Sequence, residues 1–294
     1  MSTPDEEREQ QASQARIEAG GIPLAAERRL RELAGGEGAF TSDLSVGSFA
    51  LCSELGLEPL AQVMGSSVYQ VGAYAGAMPG FNMGGWMYEL EALSGAWNEA
   101  RDRAFARMAL EAELLGADAV VGVRIDRGER ELTEGAVECM VVGTAIRGSS
   151  GGSPARSGAT MLTELSVADY AKLHRAGVDT LGVVAWTSVF YVQSWTAAQL
   201  SGPLGFMQNQ EIADYTQGVY EARESVMARV TAQAARAGAS GVVGMRVGHR
   251  VRPAGSSGVI MSFDAIGTAI RQSTEPHGIP IETIVDLTEG ASKT

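Results

Sequence analysis

Leu115-Gly-Ala-Asp-Ala-Val-Val-Gly-Val-Arg-Ile-Asp126 decides the reading of this chain, because Ala237-Gly-Ala-Ser-Gly-Val-Val-Gly-Met-Arg-Val-Gly248 follows 122 places downstream. In both versions an apolar residue meets a glycine, and a β-branched run begins four residues after that glycine. That order describes a helix stopped by a left-handed glycine and followed by a strand. Extended upstream, residues 99–126 and 221–248 match at 12 of 28 positions without a gap. Further upstream the offset is 121, setting Leu44-Ser45-Val46 on Leu165-Ser166-Val167. Downstream it is 124, setting Gly143-Thr-Ala-Ile-Arg147 on Gly267-Thr-Ala-Ile-Arg271. The chain is a tandem duplication, with copies at 40–147 and 161–271.

Each copy follows one order. Ser42 or Asp43 reads as the cap of a short helix ending at Gly56, with Thr163 to Gly177 as its counterpart. A strand follows, Leu60 to Ala73 and Leu181 to Ser194. After a long segment of glycine, methionine and aromatics comes the main helix. Trp97, Ala100, Ala104, Met108, Ala112 and Leu115 recur there at helical spacing, as do Val219, Ala222, Val226, Val230, Ala234 and Ala237. Two strands close the unit: Ala119 to Arg127 with Ala136 to Arg147, and Gly241 to Val251 with Val259 to Arg271. The fold class is α+β, two β-α-β-β domains in tandem, each with a leading short helix and a three-strand sheet. Residues 1–39 read as a charged helical extension, interrupted at Gly20–Pro23, whose second half is a surface helix with Glu27 near Arg31. Residues 148–160 read as a Gly/Ser linker. Residues 272–294 read as a tail, in which 279–286 alternate weakly enough to be an edge strand or unstructured.

The run Leu115–Asp126, the later Val142-Gly-Thr-Ala-Ile146, the preceding Glu99-Ala-Arg101 and the earlier Gly65-Ser-Ser-Val68 together resemble the YbjQ family (UPF0145). These are small bacterial proteins labelled as heavy-metal-binding. Copy two departs from the pattern with Ser240 for Asp118 and Gly248 for Asp126. The resemblance implies a dodecin-like β-α-β-β fold and, for single-copy members, pentameric rings.

The chain has 294 residues, 45% of them hydrophobic, and a formal charge of −12. That charge disfavours nucleic acid and anionic membrane surfaces. No apolar run approaches the roughly 18 residues of a membrane span, so membrane insertion is not expected. The acidic, polar start reads as neither a signal nor a transit peptide. Cys52 and Cys139 read as reduced core thiols, since copy two has Leu173 and Phe263 in their places. The expected location is the cytoplasm.

Chemistry-bearing patterns are sparse. His174, His249 and His277 lie far apart, and neither cysteine sits in a CxxC pair, so no metal site is assigned. The GxSxG string Gly148-Ser-Ser-Gly-Gly152 falls in the Gly/Ser linker and not at a strand-to-helix turn, and there is no GxxxxGK[ST]; no catalytic residue and no cofactor is assigned. Arg124 and Arg246 recur at matching places, as anion or partner contacts or as members of a solvated strand face or an ion pair between repeats. The segments 72–95 and 195–218 are the unusual part, rich in glycine, methionine and aromatics, types suited to an interface. Phe81, Trp86, Met87, Trp195, Phe206 and Met207 are the interface candidates. The sequence thus points to a non-enzymatic, ring-forming assembly or scaffold protein, a homo-oligomer presenting a surface to a protein partner or small ligand. A pentamer with ten domains in two layers is the expected form. The alternative is a metal- or small-ligand-binding module with its site between domains or subunits.

Overall fold

The computed structural model describes residues 3–36, 39–71, 86–128, 135–148, 160–194, 211–254 and 258–272. Two helices lead the chain, α1 (Pro4–Glu18) and α2 (Leu24–Ala34). The first repeat contains α3 (Val46–Glu54), β1 (Leu57–Gln70), β2 (Met87–Glu89), α4 (Glu91–Leu114), β3 (Ala119–Gly128) and β4 (Ala136–Gly148). The second contains β5 (Met161–Leu162), α5 (Val167–Arg175), β6 (Val178–Gln193), α6 (Ala213–Arg236), β7 (Gly241–Ala254) and β8 (Gly258–Gln272). The fold is α+β, with two related repeats.

In each repeat three long antiparallel strands carry one long helix. The register sets Gly65 opposite Val141 in the first sheet and Trp186 opposite Ala265 in the second. Ala100, Ala104, Met108 and Ala112 of α4 pack on Ala61, Val63, Val120 and Val141. Ala222, Val226, Val230 and Ala234 of α6 pack on Val184, Met261 and Phe263. Gly116 ends α4 at φ +67°, as a left-handed cap requires. The repeated Val-Val-Gly run has its own cause. The β3 register slips between Val121 and Arg124, where Gly122 takes φ +65°, and the β7 register slips between Val243 and Arg246, where Gly244 takes φ +65°. A bulge of this kind needs a residue at positive φ, and glycine adopts it without strain.

Four expectations need correction. The helix caps are Ser45 and Ser166, whose hydroxyls accept from Ser48 N and Asp169 N. Ser42 instead accepts from Leu44 N, and Thr163 enters a strand ladder. The sheets have four strands, ordered β1-β4-β3-β5 and β2-β6-β8-β7, because each repeat lends a short strand to the other. Residues 87–89, within a segment read as loop, form one of those strands. Finally, α2 is more than a surface helix: Leu30 and Glu27 are buried, and Glu27 pairs with Arg31. The extension is tied down at α4, where Arg107 donates to the carbonyls of Ile17 and Gly21. Of the linker expected at 148–160, residues 149–159 lie outside the described residues, as does the whole stretch 279–286, read as an edge strand or an unstructured tail.

Candidate interface between repeats

The repeats meet through two patches. In the first, β5 adds parallel to β3, with Ala119 opposite Met161 and Val120 opposite Leu162. The ladder continues as Thr163 N donates to Val120 O at 2.9 Å, Gly122 N to Leu165 O at 2.9 Å and Val123 N to Thr163 O at 3.0 Å. Ser166 then starts α5, which drops Val167 and Tyr170 onto Ala119, Val121 and Ile146 of the first repeat. Cys52 of α3 is buried in this same cluster, so its thiol belongs to the core between the repeats.

In the second patch, side chains of α4 cap the outer edge of β6. Asn98 Nδ2 donates to Thr187 O at 2.7 Å, and its Oδ1 accepts from Thr187 N at 3.0 Å. Ser94 Oγ accepts from Val189 N at 2.8 Å. An unpaired edge is thereby satisfied by a helix instead of a strand. One residue further along, β2 takes over the edge, pairing Tyr88 with Tyr191 and Glu89 with Phe190.

Charge is buried here as well. Arg127 of the first repeat pairs with Asp264 of the second at 3.0 Å, donates to Thr187 Oγ1 at 2.6 Å and lies 5.1 Å from the Trp97 ring centroid. Burial lowers the Arg127 pKa, and Asp264 opposes that shift. Arg101 and Arg229, from different repeats, both lie over the Trp186 ring. Beside Arg127, burial pushes the Cys139 thiol up to about 11. Arg124 pairs with Asp43 at 2.7 Å within its repeat, and Arg246 pairs with Glu164 at 2.8 Å. Arg246 also reaches the Val123 carbonyl across the junction, at 3.3 Å. Burial raises the Glu164 pKa against the pull of Arg246. Arg246 is half exposed, whereas Glu164 is buried and its Oε1 has no hydrogen-bond partner among the described residues.

A family model described as "Putative heavy-metal-binding" matches residues 58–149 and 179–273, one match in each repeat. The chain belongs to the YbjQ family. It is 38% identical over 256 residues to the encapsulin nanocompartment protein Rv1762c of Mycobacterium tuberculosis, covering 85% of this chain and 91% of that one. A UPF0145 protein of Natronomonas pharaonis is 46% identical over 59 residues, 20% of this chain and 55% of its own length. A UPF0145 protein of Clostridium novyi is 37% identical over 93 residues, 31% of this chain and 85% of its own.

Against the family label, no group of three or more His, Cys, Asp or Glu side chains that could hold a metal ion occurs among the described residues. His249 packs against Phe263 with the rings tilted, 4.5 Å between centroids. No helix among the described residues is long and apolar enough to cross a membrane. Of the interface candidates, Trp86 and Met87 pack against the core of the second YbjQ repeat. Phe81, Trp195, Phe206 and Met207 lie outside the described residues. The sequence reading missed Ser94, Asn98, Arg127, Val167 and Tyr170. A signal existed in Asn98, a polar residue on the apolar-rich main helix where the other YbjQ repeat has Tyr220.

The two YbjQ repeats differ most where this junction is used on one side only. Val167 is 1% exposed, and its counterpart Val46 is 88% exposed. Tyr170 is 6% exposed against 45% for Phe49, and Val189 is 1% exposed against 56% for Val68. Likewise Ala119, Val120, Val121 and Val123 of β3 are buried, whereas none of their β7 counterparts is. Among the described residues, no strand pairs with the outer edge of β7.

Proposed function

We propose that this protein is a non-enzymatic, self-assembling homo-oligomer, a cytoplasmic ring that presents a surface to a protein partner or small ligand. The observation that carries the reading is the junction between its repeats. It is heterologous: one repeat uses its β3 and α4 side, the other its β5, α5 and β6 side. Both repeats have both sides, and the chain uses each side once. Heterologous contacts between like units generate rings when the rotation closes. Side-by-side repeats then put an even number of repeats in each ring, and the pentamer that the family resemblance suggests becomes one ten-repeat ring. That arrangement is favoured over the two stacked layers that linker length alone also permits. The name of the Mycobacterium tuberculosis relative, an encapsulin nanocompartment protein, supports an assembly role.

Sedimentation velocity across a dilution series tests the reading. The expected result is one dominant species heavier than a single chain that persists on dilution. A single-chain species at every concentration contradicts it. Elemental analysis of protein purified without an affinity tag tests the alternative, and a metal bound in stoichiometric amount would replace assembly with a binding role.

A further inference from the structure

We infer that the two unused half-interfaces of this chain fit one another. The α6–β7 side of the second repeat receives residues 39–54 and the outer edge of β1 from the first repeat of a second copy. This rests on the assembly reading above and assigns its contact surface. Nine large apolar residues stay exposed among the described residues. All of them except Leu110 lie on these two sides: Phe40, Val46, Phe49 and Val68 with Met64 on one, Tyr220 with Val247 and Val251 on the other. Each side has a counterpart elsewhere in the chain that is already docked.

The occupant is a copy of this chain because short runs at the contact repeat those that dock internally. Leu44-Ser45-Val46 repeats Leu165-Ser166-Val167, and Val242-Val-Gly-Met-Arg246 repeats Val120-Val-Gly-Val-Arg124. Transposing the internal register puts Phe40 opposite Gly241 and Thr41 opposite Val242, as Met161 and Leu162 stand opposite Ala119 and Val120. Gly244 N then donates to Leu44 O, and Met245 N to Ser42 O. Val46 and Phe49 cover Gly241 and Val243, as Val167 and Tyr170 cover Ala119 and Val121. On the second patch Thr216 stands over Val68 and Tyr220 over Ser66, where Ser94 stands over Val189 and Asn98 over Thr187. Arg124, paired with Asp43 at 2.7 Å, is placed to reach the Met245 carbonyl of the other copy, as Arg246 reaches Val123. Adding a strand to an open edge while burying apolar side chains beneath it is a recurrent mode of protein recognition.

Two variants of the full chain test the pairing. Val46→Glu spoils the α3 side, and an acidic residue in the first turn of a helix favours the helix itself. Tyr220→Glu spoils the α6 side at an exposed helix position. Each variant alone is expected to run as a single chain that still melts cooperatively, at a lower temperature than the assembled wild type. An equimolar mixture is expected to give a two-chain complex and nothing larger, since it restores one intact interface. That complex also shows that both variants are folded. If wild-type protein is oligomeric and either variant keeps the wild-type mass, this pairing is overturned while assembly stands. If both variants are single chains and the mixture stays so, the pairing is likewise overturned. Wild-type protein running as a single chain overturns the assembly reading itself.

Discussion

Glu111 Oε2 accepts from Met64 N at 2.9 Å, and Gln233 Oε1 accepts from Ala185 N at 3.1 Å, so a carboxylate and an amide do the same work at matching places. The carboxylate does it at a cost. Burial raises the Glu111 pKa, only partly offset by the Met64 N–H and by Arg29 at 3.6 Å. The folded chain therefore holds that proton more tightly than the unfolded one, and stability falls as pH rises from the ordinary carboxylate range through the shifted value. Glu111→Gln keeps the acceptor and removes the charge. Its melting temperature is expected to gain on wild type across that window and to hold a constant lead above it. Parallel pH profiles for the two proteins would contradict this.

Gly65 is required by close approach. A Cβ there would lie 1.8 Å from the Ala104 carbonyl oxygen, because α4 rests directly on β1. Its counterpart is Trp186, so the same helix-on-strand contact is spaced differently in the second repeat. Gly65→Ala is expected to cost about 3 kcal/mol or more, at the upper end for overpacking a core. A urea midpoint unchanged from wild type would show that α4 can lift without loss.

Asn98→Ala leaves both backbone groups of Thr187 without their partners at a buried edge. The expected cost is about 2–3 kcal/mol, the penalty of orphaned buried groups, and it falls on the junction. Unfolding should then separate into two transitions, one for each repeat. A single cooperative transition at the wild-type midpoint would remove Asn98 from the account.

Cys139 is 1% exposed and has its thiol pushed up to about 11, and Cys52 is fully buried with its thiol also raised by burial. Both should react slowly with a thiol reagent in native protein at pH 8 and quickly after denaturation. Cys139→Ala should cost about 1–2 kcal/mol through a small cavity. Rapid native labelling of Cys139 would contradict its place beside Arg127.

Much of the fold was legible because it is written in local periods. The repeat offset, the glycine stops at Gly116 and Gly238, and the apolar stripes of α4 and α6 each follow from residue type and spacing. The exchanges were not legible. A strand of two residues such as Met161–Leu162, or of three such as Met87–Glu89, has no period to detect. Serine and threonine before a helix compete for the cap, and the structure gives the cap to Ser45 and Ser166 because Thr163 is held in the ladder with β3. Trp86 and Met87 were picked for their residue type. What they pack on depends on the other repeat, which no single copy encodes.

The central claim is that one junction, made once inside the chain, is made again between chains. Native mass spectrometry of the untagged protein tests this most directly, because it counts chains of 30.8 kDa. The account predicts a closed oligomer of defined size, five chains in the proposed ring, with no bound metal adding to its mass. A spectrum containing only the single chain at micromolar concentration would contradict it.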